Sequence, residues 1–246
     1  MATVLLPLPD NDFDVTEVAV PWRLLTNAGH RVVFVTELGG LKPEADPLLL
    51  SGVIFGALGA EDEPKKFYYQ MCEDEAYSCP LPWSSVDTND FDGMLLPGGH
   101  APGMRQYLGN SSLHQLVADF WHTNRPVGAI CHGVITLARA KDKSGESVLK
   151  GIQTTCLPKY MERLAYYLTF WKLGKYYRTY PDYVEDEVRG SLDKPEDFIR
   201  GPITIGTRGT SSDHSAAFVV EDGRYVSARW PGDAYLFAEK FMALLR

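Results

Sequence analysis

Cys131 and His132 are adjacent, at the end of a short apolar run, Val127 to Ile130. After Cys131-His132-Gly133, the residues Val134, Leu137 and Ala138 are spaced for one buried helical face. A nucleophile between a strand and a helix, flanked by small residues, is the arrangement of the Gly-x-Ser-x-Gly elbow. Here cysteine replaces serine, and Ala129 and Gly133 occupy the flanking positions. Small residues are needed because a side chain forced into a sharp turn leaves no room for its neighbours. A cysteine opening a helix also has its thiolate stabilised by the helix dipole and unpaired amides. The competing reading is a structural thiol at a strand end, since free cysteine is among the most buried residue types.

Two further stretches fit the same chemistry. Phe91 to Leu96 reads as a strand running into Pro97-Gly98-Gly99-His100. Adjacent glycines after a strand let the backbone approach a ligand. An oxyanion hole takes one amide from such a turn and one from the residue after the nucleophile, which assigns Gly99 and His132. A plain strand-to-helix turn is the alternative. Glu17 falls in the first turn of a helix at the carboxyl edge of the sheet, where ligands bind in such folds. A carboxylate that merely complements the helix dipole occupies the same position.

The elements that must position these residues alternate as strand and helix. Val4–Leu6 is a short buried strand, and Asp14 or Thr16 caps a helix to about Ala28. Val32–Val35 is a β-branched, apolar strand of the kind found in parallel sheets covered on both faces. Residues 37–88 read as an elaborated crossover with a helix near 64–74. Residues 56–59 (Gly-Ala-Leu-Gly) are not a phosphate loop, lacking the Lys-Ser/Thr pair. A helix over about 112–122 leads to the Cys131 strand. Ile152–Thr155 reads as a short strand; Ile203–Ile205 and Ala216–Val220 follow, and Asp222-Gly223 between two β-type runs reads as a hairpin turn. A last amphipathic helix runs to Leu245. Between Tyr160 and Tyr183 aromatics are dense, which means core, a subunit interface or a pocket wall; Tyr166 is a candidate for the wall.

At 246 residues, 45% hydrophobic, the chain suits one α/β domain with insertions at about 37–88 and 156–200. The net charge of −8 argues against nucleic acid or an anionic membrane as partner and fits a small-molecule substrate. Four cysteines without repeated spacing form neither a disulfide framework nor a zinc knuckle; Cys72 and Cys79 read as structural thiols. The N-terminus reads as a first strand and not a signal peptide, so a reducing cytoplasm is the expected compartment.

With these motifs in order, the chain resembles the ThiJ/PfpI superfamily, the class I glutamine-amidotransferase-like proteins. The marks are Thr16-Glu17, Asp92-Gly93 to Gly98-Gly99-His100, Ala129-Ile130-Cys131-His132-Gly133, and Asp222-Gly223 to Pro231-Gly232. The resemblance implies a flavodoxin-like three-layer sandwich with a mostly parallel sheet, a nucleophile elbow and a helical, aromatic-rich insertion. That insertion, after Thr155, looks like the larger branch of glutathione-independent glyoxalases and chaperone-like members. It implies a Cys-His-acid triad of Cys131, His132 and Glu162, with Glu17 as a protonated partner of the thiolate. Two close acids are not both charged cheaply, so one pKa rises. It also implies no metal or organic cofactor, and a homodimer. The amidotransferase His-x-Glu pair is replaced by Asp213-His214-Ser215-Ala216, which argues against glutamine hydrolysis and leaves Asp213-His214 as an alternative base.

Three functions follow. In the first, Cys131 attacks a small reactive carbonyl such as methylglyoxal, with lactate as product, or acts as a deglycase. In the second, the same nucleophile hydrolyses an amide, peptide or isonitrile-type substrate. In the third, the protein is a stress-protective holdase or a cysteine redox sensor. An exposed apolar patch over Tyr160–Tyr183 favours the holdase, and buried aromatics facing Cys131 favour the enzyme.

Overall fold

The computed structural model describes residues 1–53 and 58–245, so residues 56 and 57 of the 56–59 stretch lie outside the described residues. The chain begins with β1 (Thr3–Pro7), β2 (Asn11–Phe13), α1 (Val15–Asn27) and β3 (Arg31–Thr36). The crossover that follows carries β4 (Glu44–Ala45), α2 (Pro47–Ser51), α3 (Asp62–Met71), α4 (Glu75–Ser78) and β5 (Leu81–Pro82). Next come β6 (Gly93–Leu96), α5 (Met104–Leu108), α6 (Ser111–Trp121), β7 (Val127–Ile130) and α7 (Val134–Arg139). The last part comprises α8 (Lys159–Leu173), α9 (Val184–Gly190), β8 (Val219–Asp222), β9 (Tyr225–Ala228) and α10 (Ala234–Leu244).

Seven strands form one sheet in the order β5-β3-β1-β6-β7-β9-β8. Every neighbouring pair is parallel except the β8–β9 hairpin, which turns at Asp222-Gly223 as its sequence predicts. Strands β6, β7 and β9 are buried along their whole length, which is why they read as continuous apolar runs. Helix α1 packs on α3 and α10, and α6 packs on α7, giving a helical layer on each face. The α/β three-layer, flavodoxin-like arrangement is therefore the observed fold. From β1 the chain steps outward to β3 and then returns to β6 on the other side of β1. That reversal opens a crevice at the carboxyl ends of β1, β6 and β7, the usual ligand position in open α/β sheets.

The short strand expected at Ile152–Thr155 does not form. Thr154 makes only an isolated bridge to Phe198, and its hydroxyl shares a hydrogen bond with Tyr225 at 2.9 Å. Ile203 and Ile205 are exposed and unpaired, because Pro202 offers no amide donor and a three-residue run sustains no ladder. Among the described residues the crossover at 37–88 carries α3 (Asp62–Met71) where a helix near 64–74 is expected, together with the shorter α2 and α4.

Candidate active site at the sheet switch point

Cys131 is the first residue beyond β7, and its φ of 59° places it in the left-handed region. A non-glycine residue held there stores strain, and such residues cluster at active sites. Gly133 makes the turn feasible: a Cβ at this position would lie 2.1 Å from the Leu96 carbonyl oxygen. Gly98 serves the same end from the neighbouring turn, since a Cβ there would meet the His132 amide nitrogen at 2.7 Å and Glu17 Oε2 at 2.8 Å. The small residues seen in the sequence are thus required by backbone packed on backbone.

The structure brings Cys131, His132 and Glu17 together, all buried. Cys131 Sγ lies 3.5 Å from His132 Nδ1. Glu17 Oε2 accepts the Gly98 amide at 2.8 Å, Oε1 is buried without a hydrogen-bond partner, and the Cys131 thiol neighbours the carboxyl. Burial, and then the charge of Asp14, push the Glu17 carboxyl well above its ordinary range. Burial and the Glu17 carboxyl likewise push the Cys131 thiol up, with only the His132 amide pulling it down. The helix-start effect expected from the sequence is outweighed, because desolvation of a fully enclosed sulfur exceeds the pull of a short helical turn. Burial, helped by His100 and Arg178, keeps His132 well below its ordinary value and therefore neutral. A neutral imidazole next to a protonated thiol is a base waiting for a proton.

Glu162 lines the same cavity as Cys131, but no hydrogen bond joins it to His132 among the described residues. Its Oε1 accepts Arg178 Nη1 at 2.8 Å and its Oε2 accepts the Val184 amide at 3.0 Å. Burial pushes its carboxyl up to about 7 despite these partners. His100 is also in the cavity wall, pushed down to about 4 by burial, with its ring 4.1 Å from that of Tyr177. Tyr166 is placed elsewhere: it packs on Tyr167 and Phe170 on the outer side of α8 and does not line the cavity. Asp213-His214 sits in a loop whose His214 Nδ1 faces Glu239 of α10 at 3.5 Å, away from Cys131.

Sequence reasoning missed three contributors. Asp14 was visible as a cap, and it does accept the Thr16 and Glu17 amides at 2.8 and 3.1 Å, but it also lines the cavity with a carboxyl pushed up to about 6 by burial. Arg178 comes from the loop after α8, and only folding brings it to Glu162. Tyr177, which does line the cavity, carries no local signal distinguishing it from its many aromatic neighbours. The aromatic segment is split. Tyr177 is buried on His100, whereas Tyr167, Phe170 and Trp171 point outward from α8, each at least half exposed.

The cavity itself measures about 380 Å³. Helix α8 supplies much of one wall, and Leu49, Val53 and Trp230 supply others. No group of three or more His, Cys, Asp or Glu side chains is placed to hold a metal ion among the described residues. No helix among them is long and apolar enough to cross a membrane.

A family model described as ThiJ/PfpI family-like matches residues 8–202, and the chain belongs to the ThiJ/PfpI family. An uncharacterised Schizosaccharomyces pombe protein is 32% identical over 65% of this chain, a match that spans 60% of that protein's length. A deglycase of Pyrococcus abyssi is 24% identical over 98% of this chain and 99% of its own. Among solved structures, glyoxalase III from Candida albicans superposes with a TM-score of 0.71 at 20% identity, covering 100% of this chain and 98% of its own. At that identity the likeness supports the fold.

Proposed function

We propose that the chain is a cysteine-dependent enzyme that converts 2-oxoaldehydes to 2-hydroxy acids. The observation that carries this reading is Cys131, held at positive φ with its sulfur 3.5 Å from a neutral His132 Nδ1 and a buried Glu17 beside it. The similarity to a glyoxalase III structure and to relatives named deglycases supports a reactive carbonyl as the substrate class.

The chemistry runs in three steps. As Sγ bonds to the aldehyde carbon, the thiol proton passes to His132 Nδ1, the developing oxyanion is held by the amides of Gly99 and His132, and it then takes that proton from His132, giving a hemithioacetal and a neutral imidazole. His132 and Glu17 then move a proton from that carbon to the adjacent one through an enediol, leaving a thioester of the 2-hydroxy acid. Water cleaves the thioester, so that one dicarbonyl and one water give one hydroxy acid and the free thiol. The reaction is redox-neutral overall and consumes no co-reactant but water. Glu162 acts as a positioning residue, fixing Arg178 and the start of α9 at the cavity wall.

The test is conversion of methylglyoxal to lactate by the wild type and by Cys131→Ala. Lactate formed by the wild type and lost in the variant supports the reading; no lactate from the wild type at any accessible pH removes methylglyoxal turnover. The outward aromatic face of α8 favours a second reading, a holdase. Suppression of aggregation of a denatured client by Cys131→Ala, lost when Tyr167 and Trp171 are made polar, is its signature.

A further inference from the structure

We propose that the cavity at Cys131 is built for a carbonyl compound with a bulky apolar substituent, a 2-oxoaldehyde bearing an aryl or medium-chain alkyl group. This deepens the reading of Cys131 as a carbonyl nucleophile and rests on it for the reaction, though not for the ligand.

Two independent features carry the inference. The first is the wall. A cavity of about 380 Å³ falls in the range that encloses drug-sized ligands, and a three-carbon dicarbonyl bound at Cys131 leaves most of it to water. The side chains facing that remainder include Leu49, Val53, Met161, Leu164 and Leu168, against which water gains nothing and an alkyl or aryl group does. The second feature is a pair of orphaned polar atoms. Thr16 Oγ1 and Trp230 Nε1 are buried without partners in residues that line the same cavity, with Thr16 3% and Trp230 8% exposed. A buried donor without an acceptor is destabilising unless a ligand completes it. The Trp230 indole is packed against its surroundings: the Arg208 guanidinium lies 5.4 Å from the ring centroid, and a Cβ on Gly232 would lie 2.4 Å from the indole ring. The ligand therefore combines an apolar body with acceptor oxygens, as a substituted dicarbonyl does. The reaction balances as before, with the larger group unchanged.

The experiment measures kcat/KM for the wild type on a homologous series of alkyl 2-oxoaldehydes, from methyl to hexyl, with the phenyl compound added. Intrinsic aldehyde reactivity changes little along the alkyl series, so the slope reports apolar contact. The expected slope is roughly fourfold per methylene until the cavity is full. Leu168→Gln, at a half-exposed position, is expected to flatten it. In parallel, the same compounds are titrated into Cys131→Ala by calorimetry. Efficiency rising along the series supports the inference. Methylglyoxal turned over with a flat or falling slope overturns it and leaves the glyoxalase reading intact. Affinity of Cys131→Ala rising along the series, without turnover by the wild type, removes the glyoxalase reading and keeps the ligand assignment. Neither turnover nor binding overturns both.

Discussion

Gly98 donates its amide to Glu17 Oε2 at 2.8 Å, and its carbonyl oxygen accepts the Asp14 amide at 2.9 Å. The glycine-rich turn after β6 is thereby stitched to the start of α1, and the Glu17 carboxyl, one oxygen of which has no hydrogen-bond partner, neighbours Cys131. In Glu17→Gln the bond from Gly98 survives and the acidic proton is lost. The expected result is a fall in kcat/KM of about 10²–10⁴-fold with little change in melting temperature. Because the Glu17 carboxyl pushes the thiol up, the pH profile of Cys131 alkylation should move to lower pH in the same variant. An unmoved profile would remove the coupling.

The strain at Cys131 separates stability from activity. Cys131→Ala keeps a side chain at φ 59°, whereas Cys131→Gly adopts that backbone freely. Both are expected to be inactive, and the glycine variant to be the more stable by about 1 kcal/mol in urea denaturation. Equal stabilities would mean the elbow stores no strain.

Gly133 and Gly145 make a matched pair. A Cβ on Gly133 would meet the Leu96 and Pro97 carbonyl oxygens at 2.1 and 2.6 Å, so Gly133→Ala must push β6 from β7. A loss of about 3 kcal/mol or failure to fold is expected. At Gly145, φ is 83° but nothing lies within 4 Å, so Gly145→Ala should cost only about 1 kcal/mol. Thermal melts of the two variants decide.

Asp14 gives a pH signature. The folded chain keeps its proton until about pH 6, while an unfolded chain releases it near 3.8. Between those values the folded state binds more protons, so this group lowers stability as pH rises from about 4 to 6, by about 3 kcal/mol. Asn caps a helix as well as Asp and carries no charge. Relative to wild type, Asp14→Asn should therefore gain stability between pH 4 and pH 7, as read by denaturant midpoints; a constant difference would sink the assignment.

Glu162 is expected to matter more for structure than for rate. With its oxygens on Arg178 and Val184, Glu162→Gln sets an amide donor against one of those donors and should cost about 1–3 kcal/mol. A kcat decrease below tenfold fits a positioning role, whereas a loss of a hundredfold or more would restore Glu162 as the acid of the triad.

The sequence by itself determined the parts of this protein whose signals are local. The apolar runs of β1, β3, β6 and β7, the Asp14 cap, the Asp222-Gly223 hairpin and the small residues around Cys131 each report a constraint within a few residues. Those constraints were enough to place the α/β fold and to raise Cys131, His132 and the Gly98-Gly99 turn as candidates, whereas the role read for Glu17 came from the family resemblance. What only the tertiary structure decided depends on partners distant in the chain. Arg178, and not His132, takes one oxygen of Glu162; Tyr177, and not Tyr166, faces His100; and Ile203–Ile205 finds no neighbouring strand. Burial decided the charge states as well. A thiol at a helix start reads from sequence as acidic, but once enclosed with Glu17 and Asp14 it is pushed the other way, because desolvation acts on the whole neighbourhood and not on the motif.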